Sequence, residues 1–288
     1  MNAIYLRGMS GIGDSINQRP IVRAALSRYD QVYLSTPWPQ LYADLAVKCS
    51  PSGQQRRTQA KNLDREWDWA YPPPGTPEYR LAYGPVGDRS MISQFEDCVG
   101  FRADPFVLDL PPFPPDPWRT ARKLAVIRPA TLRSEFFVPA RNPHVALVAR
   151  ATALLRRRGF YTVLIADLLK DEEWIDGLRP NADQFLVHGE LALEQICALV
   201  AAAAVVVSPV GFAVPMAMAY QTPLIVLGGG RLLWDGPAAV QDPRVSAPVR
   251  WILPDRPCYC GDARHACSKS VTHFDRQFTA ALREVVGR

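Results

Sequence analysis

The sequence predicts an α/β protein made of two doubly wound parallel-sheet domains, and three observations carry that reading. Short β-rich runs alternate with helical patterns, as expected of parallel strands covered by helices. Two strand-to-helix junctions carry glycine, "RGMSGIGDS" at 7–15 and "VVVSPVGFAV" at 205–214. Between them "LPPFPPDPW" at 110–118 places five prolines within eight residues, which excludes helix and central strand alike and marks a linker.

Taken in order, residues 3–7 read as a strand, 15–29 as a helix and "QVYLST" (31–36) as a second strand, together one βαβ unit. "PSGQQRRTQ" (51–59) reads as a surface loop, and "YPPPGTP" (71–77) breaks regular structure. Trp67 and Trp69 of "EWDW" alternate as on one strand face, so core packing is preferred to stacking on a ligand. Met91, Ile92, Phe95 and Val99 have helical spacing over 89–99. After the linker come a strand at 123–130, a helix at 142–158, a strand at 161–166, a helix at 170–178 and a strand at 184–188. A helix at 191–204, a strand at 205–209, a helix at 212–220 and a strand at 223–228 complete a doubly wound domain. A last helix spans 270–286, beyond a cysteine-bearing loop. The expected units are 1–117, 118–268 and a terminal helical segment, 269–288.

Composition narrows the function classes. With 288 residues, 48% hydrophobic and 21% charged, the chain falls in the ordinary soluble range. No apolar run reaches the roughly 18 residues that span a bilayer, and residues 1–20 lack the pattern of a secretion signal. A cytoplasmic protein is expected. Six irregularly spaced cysteines do not make a disulfide scaffold. Residues 1–120 carry 13 basic and 13 acidic side chains and residues 121–288 carry 20 and 15, so the whole excess of +5 lies in the second half. A phosphate-bearing ligand fits best there, although part of the excess is solvated surface such as "RRR" at 156–158. A nucleic-acid partner is the weaker alternative, since no basic stripe with interleaved aromatics is present.

Ligands of open α/β sheets bind beyond the carboxyl ends of the strands, so both glycine-bearing junctions are expected to face one cleft. In the first, Gly8, Gly11 and Gly13 follow G-x-x-G-x-G, which is neither the dinucleotide spacing nor a phosphate loop. Gly11 and Gly13 allow a tight turn and close approach of a substrate. Asp14 at the helix start has two readings. It suits an N-cap, and a carboxylate ionised at the rim of a cleft can also take a proton from an attacking hydroxyl. In the second junction Gly211 turns the chain into a helix whose free N–H groups suit a phosphate. Arg128 and Arg133 follow the strand at 123–130 and either add charge to that ligand or are ordinary surface arginines.

Together these residues resemble a family. "GIGDSINQRPIVRAAL" and "LALEQICALVAAAAVVVSPVGFAVPMAMAYQTPLIVLGGG" are similar to the opening and late blocks of glycosyltransferase family 9, the heptosyltransferases. "DRSMISQFEDCVGF" (88–101) resembles the family's inter-domain helix, and "CYCGDARHACSKSVTHFDRQFTAALREV" its cysteine-bearing segment and closing helix. The resemblance implies a GT-B architecture, two Rossmann-like domains facing a cleft with the terminal helix packed back on the first. It further implies a metal-independent, inverting transfer from a nucleotide-diphosphate sugar, bound as co-substrate, to a glycan or other hydroxyl acceptor; no cofactor is expected. Asp14 matches the family's catalytic base. The donor diphosphate is expected near Pro209, Gly211, Phe212 and Ala213 with Arg128 and Arg133, the ribose near Asp167 or Glu172, and the base near Leu191.

The chain also departs from the family pattern. Pro209-Val210-Gly211 stands where the family has Asp-Thr-Gly, Val214 replaces its histidine, and Arg133 is the nearest basic residue where a lysine is expected. These losses motivate a second reading, a nucleotide-sugar-binding module without catalysis, and a third, a glycosyltransferase acting on a modified nucleic-acid base. Cys258, Cys260 and Cys267, with His265 and His273 nearby, lack the paired C-x₂₋₄-C spacing of structural zinc sites, so a thiol-lined loop or a local disulfide is expected there and no metal.

Overall fold

The computed structural model describes residues 2–53, 65–84, 88–114 and 122–287. The loop expected at 51–59 lies outside the described residues from 54 onward, as do positions 115–118 of the proline-rich segment and with them the expected boundary at 117.

The first half opens with β1 (Ala3–Arg7), α1 (Ile12–Leu26), β2 (Gln31–Ser35), β3 (Lys48–Ser50), β4 (Glu78–Arg80) and α2 (Met91–Val99). Its strands form a parallel sheet in the order β3-β2-β1-β4. The second half follows with β5 (Leu124–Ile127), β6 (Thr131–Arg133), α3 (Leu147–Arg157), β7 (Tyr161–Ile165), β8 (Glu173–Ile175), β9 (Gln184–Leu186) and α4 (Leu193–Ala202). It closes with β10 (Val205–Pro209), α5 (Ala213–Ala219), β11 (Leu224–Leu227), α6 (Leu232–Asp235), α7 (Pro237–Val240), β12 (Val249–Ile252) and α8 (Phe274–Val286). A six-stranded parallel sheet in the order β12-β11-β10-β5-β7-β9 forms its centre. The chain reverses its direction of travel between β5 and β10, the switch point at which open α/β sheets bind ligands. Both sheets follow from apolar β-branched runs such as Val205–Val207, which are buried on both faces.

Three expectations need correction. Residues 170–178 contain β8, not a helix. Its side chains alternate, Glu173 buried and Trp174 exposed, and it pairs antiparallel with β6. Trp67 and Trp69 lie outside any strand, half-buried, with ring centroids 6.5 Å apart. The terminal helix α8 does not pack on the first sheet. Phe274, Phe278, Leu282 and Val285 join the core on the second sheet, where α8 contacts β12, β11 and α3. Its amphipathic stripe finds the complementary apolar face of α3 there, framed by the Arg150–Asp275 and Arg250–Glu284 pairs.

Helix α1 is the hub. Almost every residue from Ser15 to Ala25 is buried, including polar Asn17, Gln18 and Arg19. The fully buried Arg19 reaches Asp44 at 2.8 Å, Asp109 at 2.9 Å and the Leu41 carbonyl, and Arg23 joins both carboxylates. This network pins the loops after β2 and α2 to the helix, and it explains why Arg19 and Arg23 stand one turn apart on one side of α1. A second network ties the halves together. The half-exposed Arg244 binds buried Glu96 of α2 at 2.8 Å and buried Asp242, which accepts from Ser90 at 2.5 Å. No helix among the described residues is long and apolar enough to cross a membrane.

Burial works against ionisation of Asp44 and Asp242, but hydrogen bonds from Arg19 to the first, and from Arg244 and Ser90 to the second, outweigh it and hold both below the usual carboxylate range. Carboxylates depressed in the folded state add stability above their unfolded value of about 3.9 and lose that contribution as pH falls through the folded value. Urea midpoints are therefore expected to fall steeply below about pH 4. Asp44→Asn is expected to cost about 2 kcal/mol at pH 7, because Arg19 stays buried with one partner fewer, and to make the acid limb shallower.

Candidate functional site

A cavity of about 800 Å³ opens between the sheets, at the carboxyl ends of β1, β5, β7 and β10. That volume is in the range of small-molecule sites, which run to roughly 1,000 Å³. From the first half it is lined by Met9–Asp14, Asn17, Trp38, Arg65, Tyr83 and Met91. From the second it is lined by Arg128, Arg133, Arg141, Asp167, Leu191 and Pro209–Phe212, among others.

The two glycine-bearing junctions meet. A Cβ on Gly13 would stand 3.3 Å from Pro215 Cγ and 3.4 Å from Phe212 Cα, so this glycine lets the starts of α1 and α5 touch. Gly11 caps α1 through backbone alone, which leaves Asp14 as the third helical residue and not the cap. The Asp14 carboxylate folds back over Gly11 into the space that a side chain there would fill. Its Oδ1 accepts a hydrogen bond from the Tyr83 hydroxyl at 3.0 Å. Burial, and next the Asp14 charge, push the Tyr83 phenol well above its ordinary value, so Tyr83 keeps its proton and donates. One turn on, Asn17 is buried on the cavity wall, and its Oδ1 has no hydrogen-bond partner among the described residues.

The opposite wall is cationic. Buried Glu173 of β8 holds two arginines, Arg133 Nε at 3.0 Å and Arg128 Nη2 at 3.6 Å. Arg128 lies 4.7 Å from the centroid of the Phe212 ring, and its Nε is 3.5 Å from where a Gly211 Cβ would be. Burial pulls the Arg128 guanidinium down to about 10 despite Glu173, which leaves it a cation at neutral pH. Buried Asp235 repeats the device, binding Arg141 Nε at 3.0 Å and Arg231 Nε at 3.1 Å.

Of the residues singled out in the sequence, Asp14, Gly11, Gly13, Arg128, Arg133, Asp167, Leu191, Pro209, Gly211 and Phe212 all line this cavity. Ala213 does not; it is fully buried, its methyl in the core that α5 fills. Val214, at the family's histidine position, is fully buried as well. The anion-binding helix start is also poorer than expected. α5 has seven residues, Val214 N–H is bonded to the Gly211 carbonyl at 3.1 Å, and Pro215 has no N–H to offer. The arginines therefore carry most of the positive character. Tyr83, Arg141, Glu173 and Arg65 were not legible in the sequence, since each reaches the site from a segment with no motif around it.

No protein-family profile matches the chain, and no curated protein matches it by sequence. Solved structures do match. The chain is similar to ADP-heptose lipopolysaccharide heptosyltransferase II of Escherichia coli, with a TM-score of 0.62, 15% identity and 98% of each chain covered. It is similar to the iron-containing dodecameric glycosyltransferase TibC of enterotoxigenic E. coli, with a TM-score of 0.62 and 15% identity over 97% of this chain and 74% of that one. It is also similar to a family 9 glycosyltransferase of Veillonella parvula, with a TM-score of 0.57 and 11% identity over 87% of this chain and 85% of that one. These likenesses define the class of fold: two Rossmann-like parallel-sheet halves facing a cleft, the GT-B arrangement. Within that class the chain has the heptosyltransferase-like form seen in family 9.

Overpacking the contact between the junctions tests this geometry. Gly13→Leu is expected to destabilise the protein by about 2 kcal/mol, as the side chain meets Phe212 and Pro215. The measurement is the thermal or urea midpoint against wild type, with an exposed change such as Arg157→Ala as the neutral control.

Proposed function

We propose that the protein is an inverting glycosyltransferase that moves a sugar from a nucleotide-diphosphate sugar to an acceptor hydroxyl, with Asp14 as general base. The observation that carries this reading is the placement of a tyrosine-anchored carboxylate and three arginines on opposite walls of one cavity. An acceptor oxygen beside Asp14 attacks the anomeric carbon and gives up its proton to the carboxylate. As the new C–O bond forms, the bond to the diphosphate breaks, and its electron pair leaves on the diphosphate oxygen. The charge that develops there is met by Arg128, Arg133 and Arg141, so this scheme assigns no step to a metal ion. Asn17 Oδ1 is a ready acceptor for a hydroxyl of sugar or acceptor, and Asp167 and Leu191 offer ribose and base contacts beyond the carboxyl ends of β7 and β9.

The likeness to a heptosyltransferase named for ADP-heptose makes ADP and ADP-aldoses the first probes. A bound nucleoside diphosphate at about 100 times its Kd adds about 2.7 kcal/mol of stability, a readily measured thermal shift. Arg133→Ala is expected to weaken that binding about tenfold, as one charge-assisted contact is lost. Asp14→Asn is expected to keep the shift and lower kcat by at least about 100-fold. Unchanged turnover in Asp14→Asn overturns its role as base. The replacements at Pro209 and Val214 favour a second reading, a donor-binding module without turnover; release of nucleoside diphosphate from the donor by the wild-type protein overturns it.

A further inference from the structure

The loop between β12 and α8 has no part in the chemistry above, yet it brings four soft ligands together. One ligand atom each from Cys258, Cys260, His265 and Cys267 lies within 4.8 Å of all the others. His265 Nδ1 is 3.4 Å from Cys258 Sγ and 3.1 Å from Cys267 Sγ, and Cys260 Sγ is 3.2 Å from Cys267 Sγ. Tetrahedral zinc, with Zn–S of about 2.3 Å and Zn–N of about 2.0 Å, sets its ligands roughly 3.5 to 3.8 Å apart, so small rotations of these side chains, opening the close pairs and closing the wider ones, seat an ion. The cysteines are free thiols and not disulfides.

A second observation concerns what holds this segment in place. Residues 255–270 contain no helix or strand and bury no apolar side chain, so a hydrophobic core does not explain their order. They are nonetheless docked tightly. Leu232 N–H donates to the Cys258 carbonyl at 3.0 Å, Ala140 N–H to the Ala263 carbonyl at 3.1 Å, and Lys269 Nζ to the Pro139 carbonyl at 2.6 Å. A Cβ on Gly230 would overlap the Cys267 side chain, so the run of glycines after β11 makes room for this ligand. The loop therefore sits behind residues 139–141, whose Arg141 faces the cavity.

We propose that Cys258, Cys260, His265 and Cys267 form a structural site for one thiophilic divalent cation, zinc by its ligand preference, which staples this loop against the segment that carries Arg141. Three thiolates and an imidazole form a closed tetrahedral set, which keeps no position open for substrate. The sequence spacing alone did not show this. C-x-C-x₆-C lacks a paired motif, and His265 enters only because the loop folds back on itself.

The test is elemental analysis of the whole protein, purified under reducing conditions without chelator or metal-affinity chromatography. We expect about one equivalent of zinc or another thiophilic divalent ion per chain. It should be lost in Cys260→Ser/Cys267→Ser and retained in Cys49→Ser/Cys98→Ser, whose thiols lie elsewhere. Wild-type protein stripped by chelator should lose several degrees of Tm and regain them with Zn²⁺. With Co²⁺ it should develop the strong visible and thiolate charge-transfer bands of a tetrahedral site, a readout that does not depend on the variants folding. Wild-type protein that carries no metal and gives no such spectrum overturns the proposal, as does equal metal content in Cys260→Ser/Cys267→Ser.

Discussion

Much of the site depends on a close approach of two backbones. The starts of α1 and α5 meet at Gly13, Phe212 and Pro215, and a side chain at Gly13 would drive them apart. This contact sets the Asp14 carboxylate opposite the end of β10. It also explains why α1 is buried along nearly its whole length although its sequence is far from apolar. A helix held between the first sheet and α5 has to place its polar groups inside the protein; Arg19 finds three partners on loops of its own half, whereas Asn17 keeps its Oδ1 open toward the cavity.

Positive charge at the cavity is organised from behind. Glu173 and Asp235 each bind two arginines and present at least one of them to the cavity. A guanidinium fixed in this way loses little further freedom when an anion arrives, although the anion competes with the carboxylate already bound. The compensation also lets Arg128, Arg133 and Arg141 line one cleft without mutual repulsion opening the fold.

What the sequence could show depended on how local the cause was. β1, α1 and β10 were legible because an apolar run followed by glycine is a nearby signal. So was the meeting of both junctions at one cleft, a consequence of parallel topology. β8 was not, because a buried glutamate and an outward tryptophan invert the usual pattern of a half-buried strand, and the compensating arginines lie about 40 residues earlier. The destination of α8 was illegible for another reason. An amphipathic stripe shows that a helix has an apolar face but not which surface receives it. Tyr83 belongs to the same class, since its partner Asp14 is 69 residues away.

The apolar core that contains α1 does not stop at the cleft. It runs from Ile4 and Leu34 of the first sheet, through Ile16 and Met216 of the two meeting helices, to Val126 and Val226 of the second. One of the two core clusters is thus shared by both sheets, while the other lies wholly in the second half, and cutting the chain in the proline-rich segment would expose the shared apolar surface on both pieces. Cooperativity follows the contacts and not the count of sheets. In the shared cluster, loss of order in one half removes the wall against which the other is built, whereas the core under α8 belongs to the second half alone.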